Sequence, residues 1–186
     1  MDIRFLAIQG PILITPVRRS DDRGWFMESW SKVSLEQNGI NLSEFVQDNH
    51  SFSEHRHTLR GLHYQSPPAA QDKLVRCVKG AILDVAVDVR RGSPSYGTWI
   101  SEELSEKTGS QLLIPKGFLH GFLTLEDCTE VVYKCTQPFS LKCDGSVKWD
   151  SVGVDWGVGC EPLLSDKDSA AVEFSQFVSP FIFEST

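Results

Sequence analysis

The sequence predicts an all-β chain: a barrel or sandwich of two antiparallel sheets with a few short peripheral helices. About nine short segments rich in β-branched and aromatic residues are separated by turn signals every ten residues or so. The clearest of them, AILDVAVDVR at residues 81–90, alternates, with Leu83, Val85, Val87 and Val89 on one face and Asp84, Ala86 and Asp88 on the other. Helical signals are confined to two short stretches, 34–39 and 166–176. A length of 186 residues gives one domain, residues 1–186, with a sizeable core.

Taken in order, residues 11–17 (PILITPV) read as an edge strand bounded by prolines. Asp21-Asp22-Arg23-Gly24 is a turn signal. Residues 25–30 (WFMESW) form either a strand with one exposed acid or an aromatic platform for a ring, with Arg23 and Glu28 as polar anchors. Ser34 and Gln37 have capping-box spacing and Gly39 is a stop signal, so one short helix is expected here. Residues 44–51 return to extended structure, and Gln47-Asp48-Asn49 is either a turn or a set of amide donors and acceptors facing a ligand.

Arg60-Gly61-Leu62-His63-Tyr64-Gln65 follows, a strand pattern carrying a forked cation and a histidine. A single strand histidine is often a hydrogen-bonded core residue; inside a barrel this strand would aim Arg60 and His63 into one cavity. Pro67-Pro68 forces a loop, and KLVRCV then places Lys73 at the start of a strand. After 81–90, whose two acids either pair with arginine or histidine or face solvent, the turn Arg91–Pro94 leads to a strand over 96–104. The strand from Gln111 ends at Pro115, turns at Gly117 and resumes at Leu119; by analogy with small jelly-roll barrels, Pro-x-Gly-x-x-His aims His120 inward. Residues 129–136 (TEVVYKCT) put Val131 and Tyr133 on one face, where Tyr133 is either a core aromatic or a functional hydroxyl. Ser165 and Asp168 have capping-box spacing at the head of the second helix.

The formal charge of −7 argues against nucleic acid as a partner, while leaving room for a local basic pocket that holds an anion. The five cysteines form no CxxC, which disfavours a disulfide framework or zinc knuckle and points to a reducing cytoplasm. Gly10, Pro11 and Pro16 break the only apolar run near the N-terminus, so no signal peptide is expected, and no run approaches the ~20 residues of a membrane span. His55-Arg56-His57 has a metal-binding spacing, but no carboxylate follows within a few residues and the surroundings read as a polar loop.

DDRGWFMESW, FVQDNHS, LRGLHYQ, QDKLVRCVKGAILDVAVDVRRGSP, LLIPKGFLHGF, VVYKCT, WDSVGVDW and LLSDKD, in this order from about Ile12 to Asp168, resemble the dTDP-4-dehydrorhamnose 3,5-epimerase family, of cupin-type jelly-roll fold. The resemblance implies a thymidine-diphosphate sugar with a C4 ketone as substrate, and epimerisation at C3 and C5 beside that ketone. It implies His63 as base, Tyr133 as acid on the opposite face, Lys73 at the developing enolate oxygen and Asp168 as the partner of His63; these roles suit the residue chemistries. Binding positions that match are Arg23, Phe26, Glu28, Gln47, Asn49, Arg60, His120, Asp144 and Lys167, with Arg23, Arg60 and Lys167 meeting the diphosphate. Phe26 and Glu28 would reach a neighbouring subunit's site, which implies a homodimer with shared sites. After VVYKCT the family commonly has paired tyrosines; this chain has Pro138-Phe139, so Phe139 can stack on thymine but lacks the hydroxyl. No metal or nicotinamide cofactor is implied.

Epimerisation at C3 alone is a second outcome within the family. Two further classes compete. A metal-dependent cupin could use His63 and His120, yet Gln65 fills the second position of the HxH pattern and the expected glutamate is missing. A non-catalytic sugar-binding jelly roll would need no base, acid or oxyanion cation.

Overall fold

The computed structural model describes residues 1–184. The chain runs β1 Asp2–Phe5, β2 Ile12–Thr15, a hairpin of β3 Arg19–Asp21 and β4 Gly24–Phe26, then helix α1 Lys32–Gln37. It continues as β5 Gln47–Ser53, β6 Leu59–Gln65, β7 Lys73–Lys79, β8 Ala81–Asp88 and β9 Trp99–Ser105. Next come β10 Gln111–Ile114, β11 Phe118–Thr124, β12 Thr129–Cys135 and β13 Asp144–Ser146, then helix α2 Asp166–Ser169 and a 3-10 turn at Phe174–Gln176. Six strands form one sheet in the order β1-β2-β10-β7-β12-β5, and five form the other in the order β13-β6-β11-β8-β9. Every pairing within both sheets is antiparallel.

The two sheets face one another across an apolar layer. Val75, Leu112, Ile114 and Val131 come from the six-stranded sheet and Ile82, Ala86, Leu104 and Phe122 from the other. The outer faces are covered too. On the five-stranded sheet, Val85, Val87 and Val89 lie under Val154, Trp156 and Phe181 of the C-terminal segment. Left wet, each such side chain would forgo about 1.5–3 kcal/mol, so this segment is part of the core. On the six-stranded sheet, Ile14, Leu74 and Leu113 lie under Leu35 of α1 and Ile40. Strand β8 is therefore buried on both faces, which explains why its acids, Asp84 and Asp88, are fully enclosed. Each takes a partner: Asp84 meets His120, and Asp88 meets Arg90, Ser93 and Ser95.

Several expectations change. The strand read in PILITPV is interior, because β1 pairs along its outer side. Gln47-Asp48-Asn49 is strand, not turn. The strand expected over 96–104 begins at Trp99, after a turn in which Gly97 and Thr98 bond back across Asp88 and Ser95. Helix α1 starts earlier than expected because Ser31, not Ser34, is the cap and accepts from the Ser34 amide. The Ser34 hydroxyl donates instead to Glu28. The second helix ends at Ser169 rather than 176, because Val172 leaves to bridge Val147 and its carbonyl accepts from the Lys148 amide.

Candidate active site

Register explains how distant residues meet. In the six-stranded sheet, Tyr133 lies between Asn49 and Val75, and Cys135 lies between Gln47 and Lys73. In the other sheet, His120 lies between His63 and Ala86. Directly opposed residues share a face, so each row sends its side chains into the space between the sheets.

Strict alternation would point Arg60 and His63, three residues apart, to opposite faces. The β6–β11 register shifts between His120 and Phe122, and this irregularity brings Arg60 and His63 to the same cavity. Glycine makes it possible. Gly61 has φ +143, and a Cβ there would stand 2.5 Å from Gly121 Cα.

Two adjoining cavities result, sharing His63, Lys73, Tyr133 and Lys167. The inner one, of ≈ 210 Å³, adds Arg60, His120 and Asp168. The outer one, of ≈ 400 Å³, adds Gln47, Asn49, Phe139 and Asp144. Eleven of the fourteen candidates, all but Arg23, Phe26 and Glu28, line one or both cavities. Arg23 sits at the tip of the β3–β4 hairpin on Asp21. Phe26, 73% exposed, and Glu28 line a separate groove beside α1.

His63 Nε2 is 2.5 Å from Asp168 Oδ1. Asp168 is 3% exposed and reaches this position from α2, whose first turn is fixed by Ser165 accepting from the Asp168 amide. The cap and the histidine contact therefore coexist: the backbone of Asp168 serves the helix and its carboxylate serves the ring. Burial pushes the Asp168 carboxyl up, but hydrogen bonds from His63, Ser165 and the Gly61 backbone outweigh it and hold the group below the usual carboxylate range. The dyad is therefore a carboxylate against an imidazole.

Lys73 Nζ lies 5.9 Å from the centre of the Tyr133 ring. Burial lowers the Lys73 ammonium, partly offset by Cys135, Asp84 and Asp144. Burial also raises the Tyr133 phenol, which keeps its proton near neutrality. His120, 6% exposed, is bound to Asp84 at 2.7 Å, and its pKa is lowered by burial against the pull of Asp84. It is a neutral polar group, not a cation.

At the mouth, Lys167 is paired with Asp144. The loop carrying Phe139 hangs on glutamines: Gln47 Oε1 accepts from the Phe139 amide and Gln65 Oε1 from the Ser140 amide. Gln47 also donates to Asn49, so this pair is engaged within the protein and holds the aromatic in place. Phe139 is 59% exposed at the outer cavity. Sequence reasoning does not single out Gln71 or Cys135; it meets Gln65 only as the residue that fills the HxH position, and Asp84 only as one of two acids that pair with arginine or histidine or face solvent.

An acid–base pair, a second proton-bearing group and a cation around one cavity can remove and return a carbon-bound proton while stabilising an enolate oxygen. The profile of the family described as dTDP-4-dehydrorhamnose 3,5-epimerase matches residues 5–176. A curated dTDP-4-dehydrorhamnose 3,5-epimerase from Sinorhizobium fredii is 46% identical over 172 residues, covering 91% of this chain and 88% of its own. The crystal structure of the Legionella pneumophila dTDP-6-deoxy-D-glucose-3,5-epimerase RmlC in complex with dTDP-4-keto-L-rhamnose superposes with TM-score 0.93 at 37% identity, covering 99% of both chains. ChmJ from Streptomyces bikiniensis, a 3'-monoepimerase solved with dTDP-quinovose, gives TM-score 0.85 at 36% identity over 91% of this chain and 86% of its own. The chain belongs to the dTDP-4-dehydrorhamnose 3,5-epimerase family.

Proposed function

We propose that this protein converts dTDP-4-dehydro-6-deoxy-D-glucose to dTDP-4-dehydro-L-rhamnose by epimerising C3 and C5. The observation that carries the assignment is the His63–Asp168 pair sharing one cavity with Lys73 and Tyr133. His63 takes the proton beside the C4 ketone, and Asp168 stabilises the imidazolium that forms. Lys73 meets the charge developing on the ketone oxygen. Tyr133, whose phenol stays protonated, returns a proton from the other side. The overall change is redox-neutral proton transfer, so neither a metal nor a nicotinamide is needed.

Arg60 and Lys167 serve the diphosphate and Phe139 stacks on the base, with Gln47 and Asn49 beneath it. His120 and Asp144 complete the binding surface. Arg23, Phe26 and Glu28, away from the cavities of their own chain, serve the site of a second subunit in a homodimer. The enzyme acts in the cytoplasm as one domain, with no role for nucleic acid or membrane; among the described residues no helix is long and apolar enough to cross a bilayer.

Incubation with the substrate in D2O, read by proton NMR at C3 and C5 separately, tests this. Deuterium entering both positions with formation of the L-rhamno product supports the assignment. Absence of exchange at either carbon removes it. Exchange with inversion at C3 alone gives the second reading, favoured by the missing hydroxyl at Phe139 and by the likeness to ChmJ.

A further inference from the structure

Asp84 has no exposed surface, and its Oδ2 is buried without a hydrogen-bond partner among the described residues. Its Oδ1 meets only His120, an imidazole held neutral by its surroundings. A buried carboxylate with no cation is costly. Lys73 shows the complementary anomaly: its ammonium makes no ion pair among the described residues. It shares the inner cavity with His120, the residue that Asp84 holds.

The other charges around the pair are engaged. On α2 and β6, Asp168 is bound to His63. On α2 and β13, Lys167 is bound to Asp144. Arg60 of β6 donates to Ser53 and to the Phe52 carbonyl. Glu102 of β9, the register partner of Asp84, is paired with Arg4 of β1. On β12, Tyr133 and Cys135 both have raised pKa values from burial and are neutral. Besides Arg60, which is held by neutral oxygens, Lys73 is the cation at this cavity without an acidic partner, and Asp84 is the acid with no basic partner other than His120, among the described residues.

We propose that Asp84 is a positioning residue for the reaction, a fixed counter-charge that keeps Lys73 protonated in the cavity while orienting the ring of His120. This rests on the epimerase assignment and deepens it. Lys73 can stabilise an enolate oxygen only as an ammonium, and Asp84 supplies the charge that favours this form without occupying its hydrogen bonds. The carboxylate sits behind His120, so substrate oxygen and Asp84 do not compete for the same donors.

The sign of the effect follows. Removing an anion near an ammonium lowers its pKa, so the alkaline limb of the rate profile moves to lower pH. One nearby charge moves a pKa by about 1–3 units, which at the lower figure is roughly tenfold in the protonated fraction on the alkaline limb. Asp84→Asn is the test, with Lys73 read directly through the 13Cε signal of 13C-lysine-labelled protein, assigned by Lys73→Arg. The expected result is a Lys73 midpoint and an alkaline limb of kcat both lower by about one unit or more, with KM within about threefold. In wild-type protein, which needs no variant to fold, the Asp84 13Cγ shift at pH 7 must report a carboxylate. A protonated Asp84 there, or an unchanged Lys73 midpoint in folded Asp84→Asn, overturns the proposal. Wild-type protein with no C–H exchange would sink the epimerase assignment instead, and the two titrations would still decide whether Asp84 and Lys73 are coupled.

Discussion

Replacing Asp168 by asparagine keeps the size of the side chain and removes its charge. The Ser165 cap bonds the backbone amide of residue 168, which asparagine retains, so α2 keeps its start. What changes is the 2.5 Å contact to His63 Nε2. The site is nearly closed to water at Asp168, which is 3% exposed. A hydrogen bond to a charged group in such a place contributes about 1.5–3 kcal/mol. At about 1.4 kcal/mol per decade, that predicts a fall in kcat of ~10–150-fold. Deuterium wash-in at C3 and C5 under saturating substrate measures it, and a rate within about threefold of wild type would refute a dyad. The pH dependence of stability gives an independent reading. The native Asp168 pKa is depressed, so its contribution is present above the unfolded carboxyl value of about 3.9 and is lost as pH falls through the lower native value. Acid titration of thermal stability should therefore show a shallower loss in Asp168→Asn. Ser165→Ala keeps the Asp168 charge and its His63 contact but removes the cap and the Ser165 bond to the carboxylate; the cap alone costs about 1 kcal/mol, or roughly 2–4 °C in Tm for a chain of this size.

Tyr133→Phe should lower product formation by ~10²–10⁴-fold while reducing deuterium wash-in less, because proton removal by His63 survives the loss of the phenol; equal product formation would leave Tyr133 a packed aromatic. Gly61→Ala should destabilise the fold by about 2 kcal/mol or more, since a side chain is strained at φ +143 and its Cβ would meet Gly121. A thermal melt within about 2 °C of wild type would show that the two strands can part there. Phe139→Ala should raise KM by about tenfold with little change in kcat, because a stacked base contributes to ground and transition state alike; an unchanged KM would place the base elsewhere.

The parts of this fold governed by local periodicity were legible. Alternation in 81–90 puts Asp84 and Asp88 on one face of a strand; it leaves open whether they pair or face solvent, and the structure buries both faces and pairs them with His120 and Arg90. Lys73 at the start of a strand and the turn before His120 also stand where the residues placed them. Strand β1 is not legible because Asp-Ile-Arg-Phe buries only Ile3, and that in part: it is a strand mainly through its backbone bonds to β2. The span 166–176 overshoots α2 because no local signal announces that Val172 leaves to bridge Val147. The site was legible by residue type but not by partnership. His63 and Asp168 are 105 positions apart, and only the family resemblance joined them. Likewise, a period-two pattern contains no bulge, so it could not explain how Arg60 and His63 come to face the same way.

The C-terminal segment has a consequence for how the protein is made. Strand β6, with His63, leaves the ribosome long before α2, with Asp168. Until Trp156 and Phe181 follow, the valine face of β8 has no cover. A nascent chain that stops short of this segment is at once without the partner of its base and sticky on the outside of a sheet. Catalytic competence and resistance to aggregation thus arrive together, once this segment has been made. A cell's quality control, which recognises exposed apolar surface, would thereby also remove the chains that cannot turn over substrate.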